Sequence, residues 1–161
     1  MRRTQAYGYT DNDVNFVYPT PNDLLQMQNN IATRIKDLKF KICSKNSNVF
    51  GAFQVVLSNG VCSPVFTGKG ENDQNMQSVN IQDYATIKRV NGSIGGSIHK
   101  LSFKKKDGTK ITKVETGYNG DPYGEDSVIA DDEEIIGIYG TKEFDVYCVA
   151  LGFIVWKPPK F

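Results

Sequence analysis

Histidine occurs once in these 161 residues, as His99. That scarcity limits the available chemistry. A Ser-His-Asp or Cys-His arrangement would have to use His99 as its base, and no Gly-x-Ser-x-Gly turn is present to carry a nucleophile. No Gly-x-x-x-x-Gly-Lys-Ser/Thr run exists to cradle phosphates. Cysteine is also scarce: Cys43, Cys62 and Cys148 are an odd number without Cys-x-x-Cys spacing, the pattern of free thiols in a reducing compartment. No apolar run approaches the roughly 18 residues that a membrane helix needs. Two arginines open the chain without an apolar stretch behind them, so no secretory signal is read there. These features lead us to expect a cytoplasmic or cytoskeleton-associated protein without membrane insertion. The net charge of +1 gives no general pull toward nucleic acid. Catalysis is not expected, nor is a cofactor. The acids Asp121, Glu125, Asp126, Asp131, Asp132, Glu133 and Glu134 lack EF-hand spacing, so we expect a solvated loop and no metal.

What is present reads as β structure. Hydrophobic content of 39% and charged content of 23% describe an ordinary globular chain, and the length suits one domain. Period-2 alternation dominates after residue 22. "RIKDLKFKI" puts Ile35, Leu38, Phe40 and Ile42 near one face with lysines opposite. "FQVVLSNGVCSPVF" predicts two strands around Asn59-Gly60, and "HKLSFKKKDGTKITKVE" repeats the device around Asp107-Gly108. Lys104, Lys105, Lys106, Lys110 and Lys113 make that second hairpin basic, which we read as a solvated edge that discourages strand pairing. Trp156, near the end of the last strand, is expected to pack on a sheet face rather than stack on sugar.

Three stretches align as repeats, from Asp23, Ala85 and Glu134. They end in Leu38-Lys39-Phe40, Leu101-Ser102-Phe103 and Leu151-Gly152-Phe153. The alignment predicts three similar β units around a pseudo-threefold axis, with these rings sharing one interior. It also favours a strand over a helix at residues 24 to 28, although Asn22 or Asp23 could cap a helix there. Residues 1–22 have no period and read as an irregular, extended arm; residues 23–161 form the β domain. Tyr7, Tyr9, Phe16 and Tyr18 in a polar arm are the aromatics expected to anchor a protein partner, or to dock back on their own domain.

The residues resemble the jacalin-related lectin family. "RIKDLKFKICSKNSNVFGAFQVVLSNG" resembles its first long hairpin, "YATIKRVNGSIGGSIHKLSFKKKDG" its second repeat, "DPYGEDSVIADDEEIIGIYG" its Pro-Tyr-Gly loop with the following strand, and "VALGFIVW" its closing strand. The resemblance implies an all-β fold, the β-prism I, built from three Greek-key-like units. It also implies a sugar site in which a Gly-x-x-x-Asp loop reads hydroxyls. At the matching positions this chain carries Asp145 and Val149 in the third repeat, Gly95 and His99 in the second, and Ala32 and Lys36 in the first. Valine accepts no hydrogen bond and lysine only donates. An imidazole in its neutral form both donates and accepts, so His99 could read a ligand, although a strand-end side chain facing solvent is the plainer expectation. With the motif degenerate, the expected function is a non-enzymatic binding or structural module that makes protein–protein contacts in an intracellular assembly. A carbohydrate-binding lectin of the mannose or galactose type with altered specificity is the alternative.

Overall fold

The computed structural model describes residues 1–8, 13–27, 33–71, 75–80, 87–92, 97–105, 111–118, 126–145 and 148–158. In chain order these hold β1 (Arg2–Arg3), β2 (Phe16–Tyr18), α1 (Pro21–Met27), β3 (Ile35–Ile42), β4 (Phe50–Leu57), β5 (Phe66–Thr67) and β6 (Gln77–Asn80). They continue with β7 (Ile87–Gly92), β8 (Lys100–Lys105), β9 (Ile111–Glu115), β10 (Ser127–Val128), β11 (Glu134–Asp145) and β12 (Cys148–Trp156). The strands make three antiparallel four-stranded sheets, ordered β5-β4-β3-β6, β10-β7-β8-β9 and β1-β12-β11-β2. Each sheet has a long central pair flanked by two shorter strands, the arrangement of a β-prism.

Alternation decides which face of each sheet is buried, because successive strand residues point to opposite sides. Leu101 and Phe103 are fully buried while Lys100, Ser102 and Lys104 face away from them. All three sheets turn such rows into one interior that contains Leu38, Phe40, Phe53, Val55, Leu101, Phe103, Leu151 and Phe153. The three expected phenylalanines do share this core, and the Phe103 ring meets Phe153 edge-on at 5.7 Å. At Asn59-Gly60 the turn forms as read: Gly60 has φ 87°, a left-handed conformation suited to glycine, and Asn59 Oδ1 accepts the Val61 N–H at 3.0 Å. The β8–β9 pairing also forms, with its Asp107-Gly108 turn outside the described residues.

Three expectations need correction. First, the chain at 21–27 is a helix, not a strand. Its cap is Thr20, whose Oγ1 receives the Asp23 N–H at 3.3 Å and bonds the Asp23 carboxylate at 2.7 Å, with Pro21 at the first helical position. The helix seats Leu24 on the outer face of the third sheet, against Ile136, Tyr139, Ile154 and Trp156. Trp156 therefore packs on a sheet face, as expected.

Second, the described residues of the segment 1–22 take the docked alternative and do not stand off as an arm. Arg2 and Arg3 pair with Val155 and Ile154 of β12, and Phe16 to Tyr18 pair with Gly140 to Ile138 of β11. Tyr7 bridges to Leu151 through both backbone bonds, at 2.8 and 2.9 Å, and its side chain is fully buried. Gly92 makes room for it: a Cβ there would lie 3.0 Å from the Tyr7 ring. Phe16 is buried and stacks on Phe66 with ring centroids 4.0 Å apart, and Tyr18 packs against the same core. The aromatics went inward because β11 and β12 otherwise lack flanking strands. Tyr9 lies outside the described residues.

Third, the first repeat was aligned on the wrong strand. β4, β8 and β12 are the second strands of the three central pairs, and Leu38-x-Phe40 lies on β3, the counterpart of β7 and β11. Phe53 pairs with Phe40 as Leu101 pairs with Gly92 and Leu151 with Gly140. The Leu-x-Phe equivalent in the first sheet is Phe53-x-Val55.

Candidate functional site

The corrected register moves one of the three candidate loop sites. His99 and Val149 lie two residues before Leu101 and Leu151, so their counterpart is Gly51, two before Phe53; it is not Lys36. Backbone bonding supports the match: Gly51 O accepts the Gly68 N–H at 2.8 Å, and His99 O accepts the Thr116 N–H at 3.1 Å. Ser47 takes the place first given to Ala32. Lys36 is an exposed residue of β3, and Ala32 lies outside the described residues.

In the first sheet the space over Gly51 is filled by another residue. A Cβ on Gly51 would stand 3.0 Å from Glu71 Cδ. The Glu71 carboxylate, 1% exposed, accepts from Lys41 Nζ at 2.8 Å, Ser44 Oγ at 2.7 Å, Ser44 N–H at 3.1 Å and the Cys43 thiol at 3.3 Å. Burial alone would raise the Glu71 pKa; the hydrogen bonds from Lys41, Ser44 and Cys43 outweigh it and hold the carboxyl at about 2. Burial in turn pushes the Cys43 thiol up. This buried pair is a plug over Gly51. Its carboxylate, held by four donors, is not exposed to a sugar hydroxyl.

In the second sheet His99 is buried and its ring meets Tyr118 edge-on at 5.3 Å. Tyr118 is 51% exposed. Thr116 ties the two loop ends together: its Oγ1 donates to Asn48 O at 2.9 Å, while Phe50 N donates to Ile98 O at 2.9 Å. The site thus presents a tyrosine ring to solvent, backed by the imidazole. Gly95 lies outside the described residues.

In the third sheet Asp145 of β11 pairs with Cys148 of β12, and Val149 follows on β12; the side chains of all three lie outside the described part. The neighbouring segment is fixed to β11. Thr141 Oγ1 donates to Asp13 O at 2.9 Å, and Asn15 exchanges bonds with Lys142 at 2.7 and 2.8 Å.

Four of the acids expected as a solvated loop pair with cations. Glu133 grips Arg2 through two 2.8 Å bonds, Glu134 pairs with Arg34, Asp132 with Lys157 at 3.0 Å, and Asp126 with Arg89 at 3.4 Å. Asp121 and Glu125 lie outside the described residues, among which no group of three or more His, Cys, Asp and Glu side chains could hold a metal. Neither Cys43 nor Cys62 is in a disulfide. Sequence reasoning missed Glu71 and Tyr118. Glu71 follows a polar turn at Lys69-Gly70 with no local signal for its partners, and Tyr118 has meaning only once β8 and β9 pair beside it.

No family model matches the sequence, and no curated protein matches it. The structure, by contrast, superposes on solved lectins over nearly its whole length. A mannose-binding jacalin-related lectin from Ananas comosus gives a TM-score of 0.60 at 14% identity, over 97% of this chain and 97% of that one. Calystegia sepium agglutinin gives 0.61 at 16% identity, over 98% and 99%. A prostate-specific WGA16 glycoprotein lectin gives 0.62 at 11% identity, over 96% and 99%. The chain has the β-prism I fold of the jacalin-related lectins.

Proposed function

We propose that this protein is a non-enzymatic carbohydrate-binding β-prism whose recognition site is the loop end of the second sheet. The observation that carries the reading is the exposed Tyr118 ring held edge-on by His99, at the position where the resemblance places the sugar-reading group. A phenol offers an apolar face to a pyranose ring and a hydroxyl to its rim. The full-length structural neighbours include lectins, which supports the same class. Val149 stands where the resemblance asks for a carboxylate, and Glu71 fills the first loop end, so mannose and galactose of the usual kind are not the expected ligands.

A glycan array tests this. Competable binding to a neutral glycan that disappears in Tyr118→Ala, with an unchanged thermal transition, supports the reading. A blank array, or binding indifferent to Tyr118, overturns it.

A second reading, a rigid module in a protein assembly, is favoured by one observation: the first loop end is filled by the protein's own Glu71. The buried Cys43 and exposed Cys62 thiols suit an intracellular home for either. A blank array together with recovery of stoichiometric protein partners from cell extract favours this one.

A further inference from the structure

The outer face of the second sheet carries a concentration of positive charge at odds with a chain of net charge +1. A shallow groove of about 420 Å³ runs across β7, β8 and β9, lined by Arg89, Asn91, Lys100, Ser102, Lys104, Lys113 and Asp126. Strand register explains the grouping. Arg89 lies opposite Lys104, Asn91 opposite Ser102, and Ser102 opposite Lys113. Each of these alternates with an inward core residue such as Val90, Leu101, Phe103 or Val114. The cations are therefore held on a rigid surface, unlike those of a flexible tail.

Two features separate this face from an ordinary solvated edge. Among the described residues Lys100, Lys104 and Lys113 make no ion pair, Arg89 has the 3.4 Å contact to Asp126, and Glu115, opposite Lys100, is the other acid on the face. In addition, Asn91 Oδ1 is buried and receives no hydrogen bond, while its Nδ2 donates to Asp126. Its capacity to accept is unmet among the described residues.

We infer that this groove binds a sulfated polysaccharide. The ammonium and guanidinium groups meet sulfates; Asn91 Oδ1, Asp126 and Ser102 accept from or share protons with sugar hydroxyls. Lys100 and Lys104 stand about 13 Å apart along β8, a separation that a chain with charges on successive residues spans and a single phosphate does not. None of the lining residues is aromatic, so nucleic-acid bases have no stacking platform. This face is distinct from the Tyr118 loop end, and the inference does not depend on the neutral-glycan reading.

The test uses the full chain and four probes: dextran sulfate, unsulfated dextran, poly(vinyl sulfate) and duplex DNA, with binding followed by titration at two salt concentrations. Dextran sulfate should bind, weaken at least tenfold at the higher salt, and lose at least tenfold in Lys104→Ala/Lys113→Ala; plain dextran should not bind. Poly(vinyl sulfate), which offers sulfates without hydroxyls, should bind several-fold more weakly than dextran sulfate, and Asn91→Leu should abolish that difference. Tyr118→Ala should change none of these values, so loss of the loop-site reading is distinguishable from loss of this one. Equal binding of DNA, equal binding of poly(vinyl sulfate), or indifference to the lysine changes in folded protein would each overturn the proposal.

Discussion

The Tyr7 hydroxyl sits 2.6 Å from Ser127 Oγ and donates to Val90 O at 2.7 Å. A residue of the first ten thereby crosses the prism interior from the third sheet to the second. Tyr7→Phe keeps the ring and deletes the hydroxyl, leaving the Val90 carbonyl without this donor, and should cost about 1–3 kcal/mol in urea unfolding. Tyr7→Ala also leaves a cavity and should cost about 3–5 kcal/mol. Deleting residues 2–18 removes both flanking strands of the third sheet, so the truncated chain should lose its cooperative melting transition. A deletion that melts like the full chain would show that the segment contributes nothing to the fold.

Phe103 is fully buried and meets Phe153 at 5.7 Å. Phe103→Ala should destabilise by about 3–5 kcal/mol. The denaturant midpoint should fall without a change in slope, since the same surface is still exposed on unfolding.

Glu71 gives a pH signature. Its folded carboxyl titrates at about 2, against 4.5 for an ordinary glutamate. The depressed value means that the ionised form stabilises the fold above pH 4.5 and that this contribution is lost as pH falls toward 2. The shift corresponds to about 3 kcal/mol at most. Stability of the wild type should decline over that window more steeply than that of Glu71→Gln, which is less stable at neutral pH and flatter in acid. Parallel curves would show that the Lys41–Glu71 pair adds nothing.

The third loop end carries valine where the resemblance asks for aspartate. No specific mannose or galactose binding is expected there. Val149→Asp would restore a charged acceptor worth roughly 1.5–3 kcal/mol, or about ten- to a hundredfold in affinity. Isothermal titration with mannose should show a gain in the variant over the wild type. A competable mannose signal in the wild type that depends on Asp145 or Val149 would contradict this.

Most of the fold was legible because alternation and tight turns are local signals. Asn59-Gly60 and the Leu101-x-Phe103 and Leu151-x-Phe153 rows read directly into strands and core. The errors differ in kind: the partners of residues 1–22 lie far along the chain, whereas the repeat ending and the helix turn on neighbouring segments. Leu38-x-Phe40 imitates the repeat ending because β3 also faces the core, and pairing alone shows that Phe53 is the true counterpart. Tyr7 and Phe16 looked like an arm because the strands that receive them lie more than 100 residues further on. The helix was set aside on the strength of that repeat alignment, although Thr20, Pro21 and Asp23 carried its capping signal. At the site, His99 was visible as a register position. Its partner Tyr118 and the intrusion of Glu71 over Gly51 required the sheets to be in place.

The pairing of β2 with β11 also sets a schedule for the emerging chain. Tyr18 leaves the ribosome about 120 residues before Ile138, its partner in the sheet. At about 5–20 residues per second that is a wait on the order of ten seconds. During it Tyr7, Phe16 and Tyr18 have no sheet to enter, although the first and second sheets already have all their strands. The aromatics that finish the interior are thus the last to be sheltered. A nascent chain stalled before β11 would expose them to whatever chaperone reads an unpaired aromatic segment.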